Sequence, residues 1–362
     1  MTAPFPSDGA EADPKGHGLL LRRVAMAREL ALGMLVEPLG EPWEPSVAGV
    51  VATGVGSSEA HARHLVGLLN AHTSVPAEFV SLGSFADPGA MTEARRARTL
   101  VVFSQGLAPN ARVALSRAGE FAGCVVVTAA TEAGQFRAGR PERAELLGEL
   151  IRGGARVERF PVEDEYTLLV RVIGPACGFV AALRLAGSVS GSWIGRVEER
   201  ALLAGELGEL ADGPWPGRIR DRLGKELESG WEGGVMVMPG ELVGCAQNLA
   251  AKFVEGLYVA PPRMVETLEL VHGTFQQLKA RPAPVWVLGE DPLSIRARDL
   301  LESAGMKPFH VPVPELAGAM PLALELLFNP ALVDGVQRLG LDQVNWPGKG
   351  LDGPLYGFEG GV

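Results

Sequence analysis

Two pairs of short apolar runs, set at almost the same interval, constrain this chain more than any other feature. "SVAGVVATGVGSSEAHARHLVGLLNAH" is a Val and Ala run, a Gly and Ser turn and a helical stretch, and "RTLVVFSQGLAPNARVALSRAGEFAGCVVVTAA" follows as strand, turn, helix and strand. "GGVMVMPGELVGCAQNLAAKFVEGLYV" and "APVWVLGEDPLSIRARDLLESAGMKPFHVP" repeat that rhythm in the second half. Val51 to Val102 is 51 positions and Val235 to Val285 is 50, so equal units recur at equal spacing. Strands alternating with helices of this length predict parallel sheets covered on both faces, with ligands at the carboxyl ends of strands. The pattern predicts a duplicated α/β domain; the alternative is one large doubly wound sheet.

Residues 1–17 are polar and proline-rich, lack the basic start and apolar run of a signal peptide, and read as a disordered tail. An amphipathic entry helix is expected over 18–40, a first domain over 41–200 and a second over 218–340. Between them, 201–217 is a charged helix broken by Gly213, Pro214 and Pro216, read as a linker, and 341–362 forms a C-terminal tail. At 362 residues and 47% hydrophobic content, each half can bury a core. A formal charge of −10 argues against nucleic-acid binding through a broad basic field, but not against a small anion that needs only a few local donors. The longest apolar stretch, "TLLVRVIGPACGFVAALRLAG", is interrupted by Arg171, Gly174, Pro175 and Arg184, so no membrane span is expected. Cys124, Cys177 and Cys245 lie far apart in apolar surroundings, which points away from a disulfide framework or zinc site and towards a reduced cytoplasm.

The turn "ATGVGSSEAH" sets Gly54, Gly56, Ser57 and Ser58 between a strand and a helix, where hydroxyls and free N–H groups can bind an oxyanion. It is no Walker loop, since no Lys follows, and it lacks the third Gly of the dinucleotide fingerprint. Ser57 or Ser58 can equally serve as a plain N-cap. In "VVFSQGLAPNARVAL", Ser104 and Gln105 end a second strand before a helix opened by Pro109 or Asn110. Two neighbouring strands ending this way aim polar groups at one crevice, which suits a small polar ligand.

With these turns the chain resembles the sugar isomerase (SIS) family over about residues 20 to 350, and more narrowly the tandem SIS pair of glucosamine-6-phosphate synthase and the related amino-sugar-phosphate isomerases and deglycases. Gly56, Ser57 and Ser58 match the family's Gly-Ser-Ser turn, and Ser104 and Gln105 match the start of its Ser-Gln-Ser-Gly-Glu-Thr phosphate loop, which here continues "GLAPN". Lys252 and Glu255 match its Lys-x-x-Glu, and Glu269, Leu270, His272 and Gly273 its Glu-Leu-x-His-Gly. The segment "YTLLVRVIGPACG" lacks the family's hydroxyl-rich run. The tail "GLDQVNWPGKGLDGPLYGF" is similar to the closing Asp-x-Asp-x-Pro segment, with Lys349 two residues past Pro347. The resemblance implies two tandem SIS domains, each a flavodoxin-like three-layer sandwich with helices on both faces of a parallel sheet. It also implies a C-terminal tail closing over the site and a sugar-phosphate ligand. Gly56, Ser57, Ser58, Ser104, Gln105, Asn110 and Lys349 are then expected to bind substrate. The same resemblance implies a homodimer in which His272 reaches the neighbouring subunit's site. This chain is expected to act without a glutaminase domain.

Aldose-ketose exchange needs a base that removes a proton next to a carbonyl and returns it to the adjacent carbon, and Glu255 fits that requirement. Lys252, three positions earlier, is expected to share a helix face with it and to hold the carboxylate ionised or stabilise an enediolate. His272 at a turn can protonate a ring oxygen near neutral pH. His61 and His64, at i and i+3, have no evident third metal ligand and are assigned to structure or surface. Such a route needs no metal or organic cofactor. The leading expectation is an isomerase, deaminase or deglycase of a phosphorylated sugar or amino sugar. The alternative is a non-catalytic SIS pair that binds a sugar phosphate to regulate or scaffold a partner.

Overall fold

Among the described residues, nine short strands, rich in Val and other apolar residues, form two parallel sheets. The computed structural model describes residues 13–162, 165–189, 192, 195–316 and 318–358; of the tail expected over 1–17, residues 1–12 lie outside the described residues. The first sheet contains β1 (Val50–Thr53), β2 (Ala77–Phe79), β3 (Thr99–Phe103), β4 (Gly123–Thr128) and β5 (Arg156–Arg159), in the order β2-β1-β3-β4-β5. The second contains β6 (Val235–Met238), β7 (Arg263–Glu266), β8 (Val285–Leu288) and β9 (Phe309–Val311), in the order β7-β6-β8-β9. The second sheet therefore repeats the first without its last strand. The interval seen in the sequence is the distance between paired strands: Val51 faces Leu100 across β1 and β3, and Val235 faces Val285 across β6 and β8.

The longer helices are α1 (His17–Val36), α2 (Ser57–His72), α3 (Pro141–Arg152), α4 (Ile173–Gly187), α5 (Val197–Asp212), α6 (Trp215–Glu228), α7 (Pro292–Ser303) and α8 (Met320–Arg338). Strand side chains alternate between faces, and burial divides accordingly. Val50, Ala52, Val101, Phe103, Val125 and Val127 join one core, while Val51, Leu100, Val102 and Val126 join another on the opposite face. In the second sheet Met236, Met238, Trp286 and Leu288 belong to the first of these cores, and Val235, Val237, Val285 and Val287 to a third. The inner faces of both sheets thus share one apolar core. Its helical layer is α4 and α8, on which α1, α5 and α6 pack.

The segment expected as a linker is helical as α5 and packs on α1 and α8. The buried Arg200 of α5 donates to the carbonyls of Leu35 (2.9 Å), Gly195 (2.8 Å) and Glu37 (3.1 Å), and Arg184 of α4 donates to those of Met34 (2.6 Å) and Pro38 (2.9 Å). A helix end leaves carbonyls without intrahelical partners, and α1 has no basic residue in its own last turn. Two arginines from other helices supply that cap. Replacing Arg200 by Met strips several carbonyls of a charged donor, so a loss of about 2–4 kcal/mol is expected, read from the urea midpoint. A change under about 0.5 kcal/mol, the range of an ordinary surface substitution, would contradict this account.

Candidate functional site

The first sheet reverses its strand order between β1 and β3, and a cleft opens at their carboxyl ends, where doubly wound sheets bind ligands. The cleft is partly open to solvent, with a cavity volume of about 80 Å³ beneath its mouth. Gly56, Ser57 and Ser58 line it from the turn after β1, Ser104, Gln105 and Asn110 from the turn after β3, and Glu255 from the second half of the chain. These expected residues are brought together although about 200 positions separate the first turn from Glu255. Tyr166, Arg171 and Gly174 complete one wall and were not singled out as site residues from sequence.

Local geometry explains the glycines. Gly56 has φ +61°, which L side chains rarely adopt, and a Cβ on Gly54 would lie 2.4 Å from the Ser58 carbonyl oxygen. The chain therefore turns tightly from β1 into α2. A Cβ on Gly174 would meet the Gln105 side chain at 2.1 Å, and one on Gly178 would meet the His61 ring at 2.2 Å. The spacing Gly174-x-x-x-Gly178 is the sequence signal for that close approach of α4 to its neighbours.

The polar groups after β3 are largely engaged within the protein. Ser104 Oγ accepts from Ala108 N (3.1 Å), and Gln105 Nε2 donates to the Val162 carbonyl (3.0 Å) and to Glu165 Oε2 (3.1 Å). Glu165, fully buried, also accepts from the backbone N–H groups of Val172 (3.2 Å), Ile173 (3.0 Å) and Gly174 (2.5 Å). The N-terminus of α4, a ready anion site, is thus filled by the protein's own carboxylate. At the equivalent edge of the second sheet, Asp291 Oδ1 accepts from Leu293 N (2.9 Å) and Ser294 N (3.1 Å) and fills the start of α7 in the same way.

Glu255 lies on a π-helical turn, Lys252–Gly256. Because such a turn is wider than an α-turn, residues three apart no longer stack on one face. The expected shared face of Lys252 and Glu255 therefore does not form: Glu255 faces the cleft, and Lys252, 4% exposed, points into the core. There its Nζ lies 2.9 Å from Glu325 Oε2 of α8, whose carboxylate also accepts from Asn248 Nδ2 and from Asn329 Nδ2 (3.5 Å). Burial raises the Glu325 pKa, and the Lys252 charge opposes the rise. Burial likewise raises that of Glu255, opposed first by Arg171 and then by Lys252. Lys252 thus acts on Glu255 through space, from behind the cleft wall.

A buried side chain braces this wall. Gln343, fully buried, donates from Nε2 to the Gly256 carbonyl (2.9 Å) and accepts at Oε1 from Val170 N (3.2 Å), while its own carbonyl accepts from Leu169 N (3.0 Å). It therefore ties the turn bearing Glu255 to the segment bearing Arg171. Tyr258 Oη donates to the adjacent Asp342 carbonyl (2.7 Å). Tyr258, Leu107 and Val162 have φ of 54°, 50° and 70°, strained values for such side chains, and all three flank cleft segments.

Besides Lys252, two expected residues do not line the cleft. His272 is exposed at the end of the turn Glu269–Val271. Lys349 is exposed, with Nζ donating to the Val344 carbonyl (2.7 Å) and 4.4 Å from the Trp346 ring centroid. The short helix Gly353–Tyr356 beyond it packs against Pro109–Ala111, beside Asn110. His61 and His64 are buried beside Phe179 of α4, with His61 Nε2 2.9 Å from the Pro175 carbonyl. Burial lowers their pKa values to about 4 and about 3.

Among the described residues, no helix is long and apolar enough to cross a membrane. No protein-family model and no curated protein sequence matches the chain. Solved structures do match. The C-terminal domain of glucosamine-fructose-6-phosphate aminotransferase from Francisella tularensis superposes with a TM-score of 0.68 at 13% identity, covering 91% of this chain and 98% of that one. Glucosamine-6-phosphate deaminase from Thermotoga maritima superposes with a TM-score of 0.63 at 18% identity, covering 91% and 97%. The fold is thus that of the SIS structures which the sequence resembles.

Two outcomes follow from the buried charges. Lys252→Met leaves Glu325 buried without its cation and is expected to cost about 3–5 kcal/mol, whereas Lys252→Met combined with Glu325→Gln should recover most of that loss. Chemical denaturation of the two variants gives the comparison. The histidines work in the opposite direction from a raised acid: their folded pKa values lie below the unfolded value, so the unfolded state takes up protons first as pH falls. Stability should then drop from about pH 6.5 to 5 with a slope approaching ~2.7 kcal/mol per pH unit for two groups, and His64→Leu should halve it. An unchanged slope in that variant would exclude His64 as a contributor.

Proposed function

We propose that the chain is an isomerase-type enzyme acting on a sugar phosphate or amino-sugar phosphate through an enediol or enediolate, with Glu255 as the proton carrier. The observation that carries this reading is one carboxylate, its pKa raised by burial, facing a cleft that also holds the Gly56, Ser57 and Ser58 turn. A carboxylate shifted towards neutral pH can take a proton from the carbon beside a carbonyl and give it back to the adjacent carbon. Electrons move from the C–H bond into the C=C bond of the enediolate and the carbonyl π electrons pass to its oxygen, which takes a proton from the neighbouring hydroxyl while Glu255 keeps the carbon-derived proton. Reversal at the neighbouring carbon completes the exchange without net redox change. The structural neighbours, a domain of glucosamine-fructose-6-phosphate aminotransferase and a glucosamine-6-phosphate deaminase, suit this substrate class.

In this reading each half is one SIS unit, 41–200 and 218–340, and the cleft at the first sheet is the ligand crevice. The exposed His272 serves the cleft of a second copy in a homodimer, where it assists ring opening. The tail from 341, with Lys349, closes over the substrate. The second reading, a binding or regulatory protein, draws on the engagement of Ser104, Gln105 and Lys252 by internal partners.

Glu255→Gln separates the two. It removes the base and keeps the shape, so an enzyme should lose about 10²–10⁴-fold in turnover while retaining the thermal shift caused by its sugar phosphate. Turnover within a factor of about three of wild type would remove Glu255 from the chemistry.

A further inference from the structure

We propose that Gln343 is a positioning residue for the proton transfer: buried behind the cleft, it sets the place of Glu255 and links that carboxylate to residues 15–17 and to the C-terminal tail. This rests on Glu255 being the base of the isomerase reading. Gln343 lies 88 positions from Glu255, is fully buried and is not among the residues lining the cleft, so it acts on the reaction only through other groups. Its Nε2 donates to the carbonyl of Gly256, the residue after Glu255, at 2.9 Å, and its Oε1 accepts from Val170 N at 3.2 Å. The adjacent Asp342 adds a second tie, its carbonyl accepting from Tyr258 Oη at 2.7 Å. Gly256 packs closely against its surroundings, since a Cβ there would lie 2.4 Å from Leu332 Cδ1 and 3.4 Å from Val170 Cγ2. The turn bearing Glu255 is thus held by α8, by the segment before Arg171 and by the tail.

The tail segment is itself clamped by residues 15–17. The Lys15 carbonyl accepts from Gln343 N (3.1 Å), Lys15 Nζ donates to the Gly340 carbonyl (2.7 Å), and His17 Nε2 lies 2.7 Å from the Leu341 carbonyl. Gly16, between them, is buried with φ +77°. A Cβ there would lie 2.4 Å from Leu168 Cδ2 and 3.1 Å from Val344 Cγ2, so a side chain strains the backbone and pushes on both neighbours. Residues 15–17 and 340–344 therefore form one unit, and the Gln343 amide is its contact with the turn of the base. A misplacement of about 1 Å, caused far from the chemistry, can cost about 10²-fold in rate, so loss of this amide should be felt in the proton-transfer step.

Deuterium uptake from D2O at C1 of fructose 6-phosphate and at C2 of glucosamine 6-phosphate, followed by NMR, reads that step directly. Wild type, Gln343→Met, Gly16→Ala and Arg200→Met are compared at equal concentrations of folded protein. Gln343→Met keeps the length of the side chain without its amide. It should lower kcat for exchange about 10–100-fold with KM within about threefold, because the Ser57 and Ser58 turn hangs from β1 and α2, which Gln343 does not touch. Gly16→Ala should lower kcat in the same direction by displacing Lys15 and Val344, which preserves the test if Gln343→Met fails to fold. Arg200→Met removes a remote helix cap and should keep the wild-type kcat per folded molecule. A wild-type kcat in folded Gln343→Met, or an equal fall in Arg200→Met, would overturn the assignment and leave the isomerase reading standing. Wild-type protein that takes up no deuterium at either carbon would overturn both.

Discussion

Everything in this molecule depends on the burial of two sheet faces in one shared apolar core. Parallel sheets must be covered on both sides, and here the inner faces carrying Val101, Phe103, Met236 and Trp286 are served by the same helices. Burial at about 25 cal/mol per Å² of apolar surface makes that layer the main stabilising contact between the halves. It has a functional consequence. Glu255 from the second half is fixed relative to Ser57 and Ser58 from the first, because both hang from elements anchored in that layer.

Polar groups inside this frame are matched by internal partners, and the matches shape the cleft. Glu165 fills one helix N-terminus and Asp291 another, so two potential anion sites are closed by the protein's own carboxylates. Glu325 draws Lys252 out of the cleft wall into the core, and the π turn permits this by separating two residues that an α-helix would align. Gln343 then holds the turn against the Arg171 segment. The remaining open crevice holds one raised carboxylate, one guanidinium and the hydroxyls of Ser57 and Ser58.

Several of these features were legible in the chain itself. The 50-residue rhythm located the strand pairs, and "ATGVGSSEAH" with "VVFSQG" located the two turns that border the cleft. Glu255 was identified from a short motif and does face that cleft. Glu165 and Gln343 were not, since each acts through bonds to backbone groups that carry no sequence signature. Arg171 was read only as an interruption of an apolar run.

The sequence by itself determined the α/β class, the strand spacing and the turns where a ligand can bind, because periodicity and glycine placement are local properties of the chain. Only the tertiary structure decided which polar groups remain available at that place. Lys252 and Glu255 are three positions apart, yet one belongs to the core and the other to the cleft. That division depends on where Glu325, Glu165 and Gln343 arrive in space, and a buried polar group goes to whichever partner satisfies it.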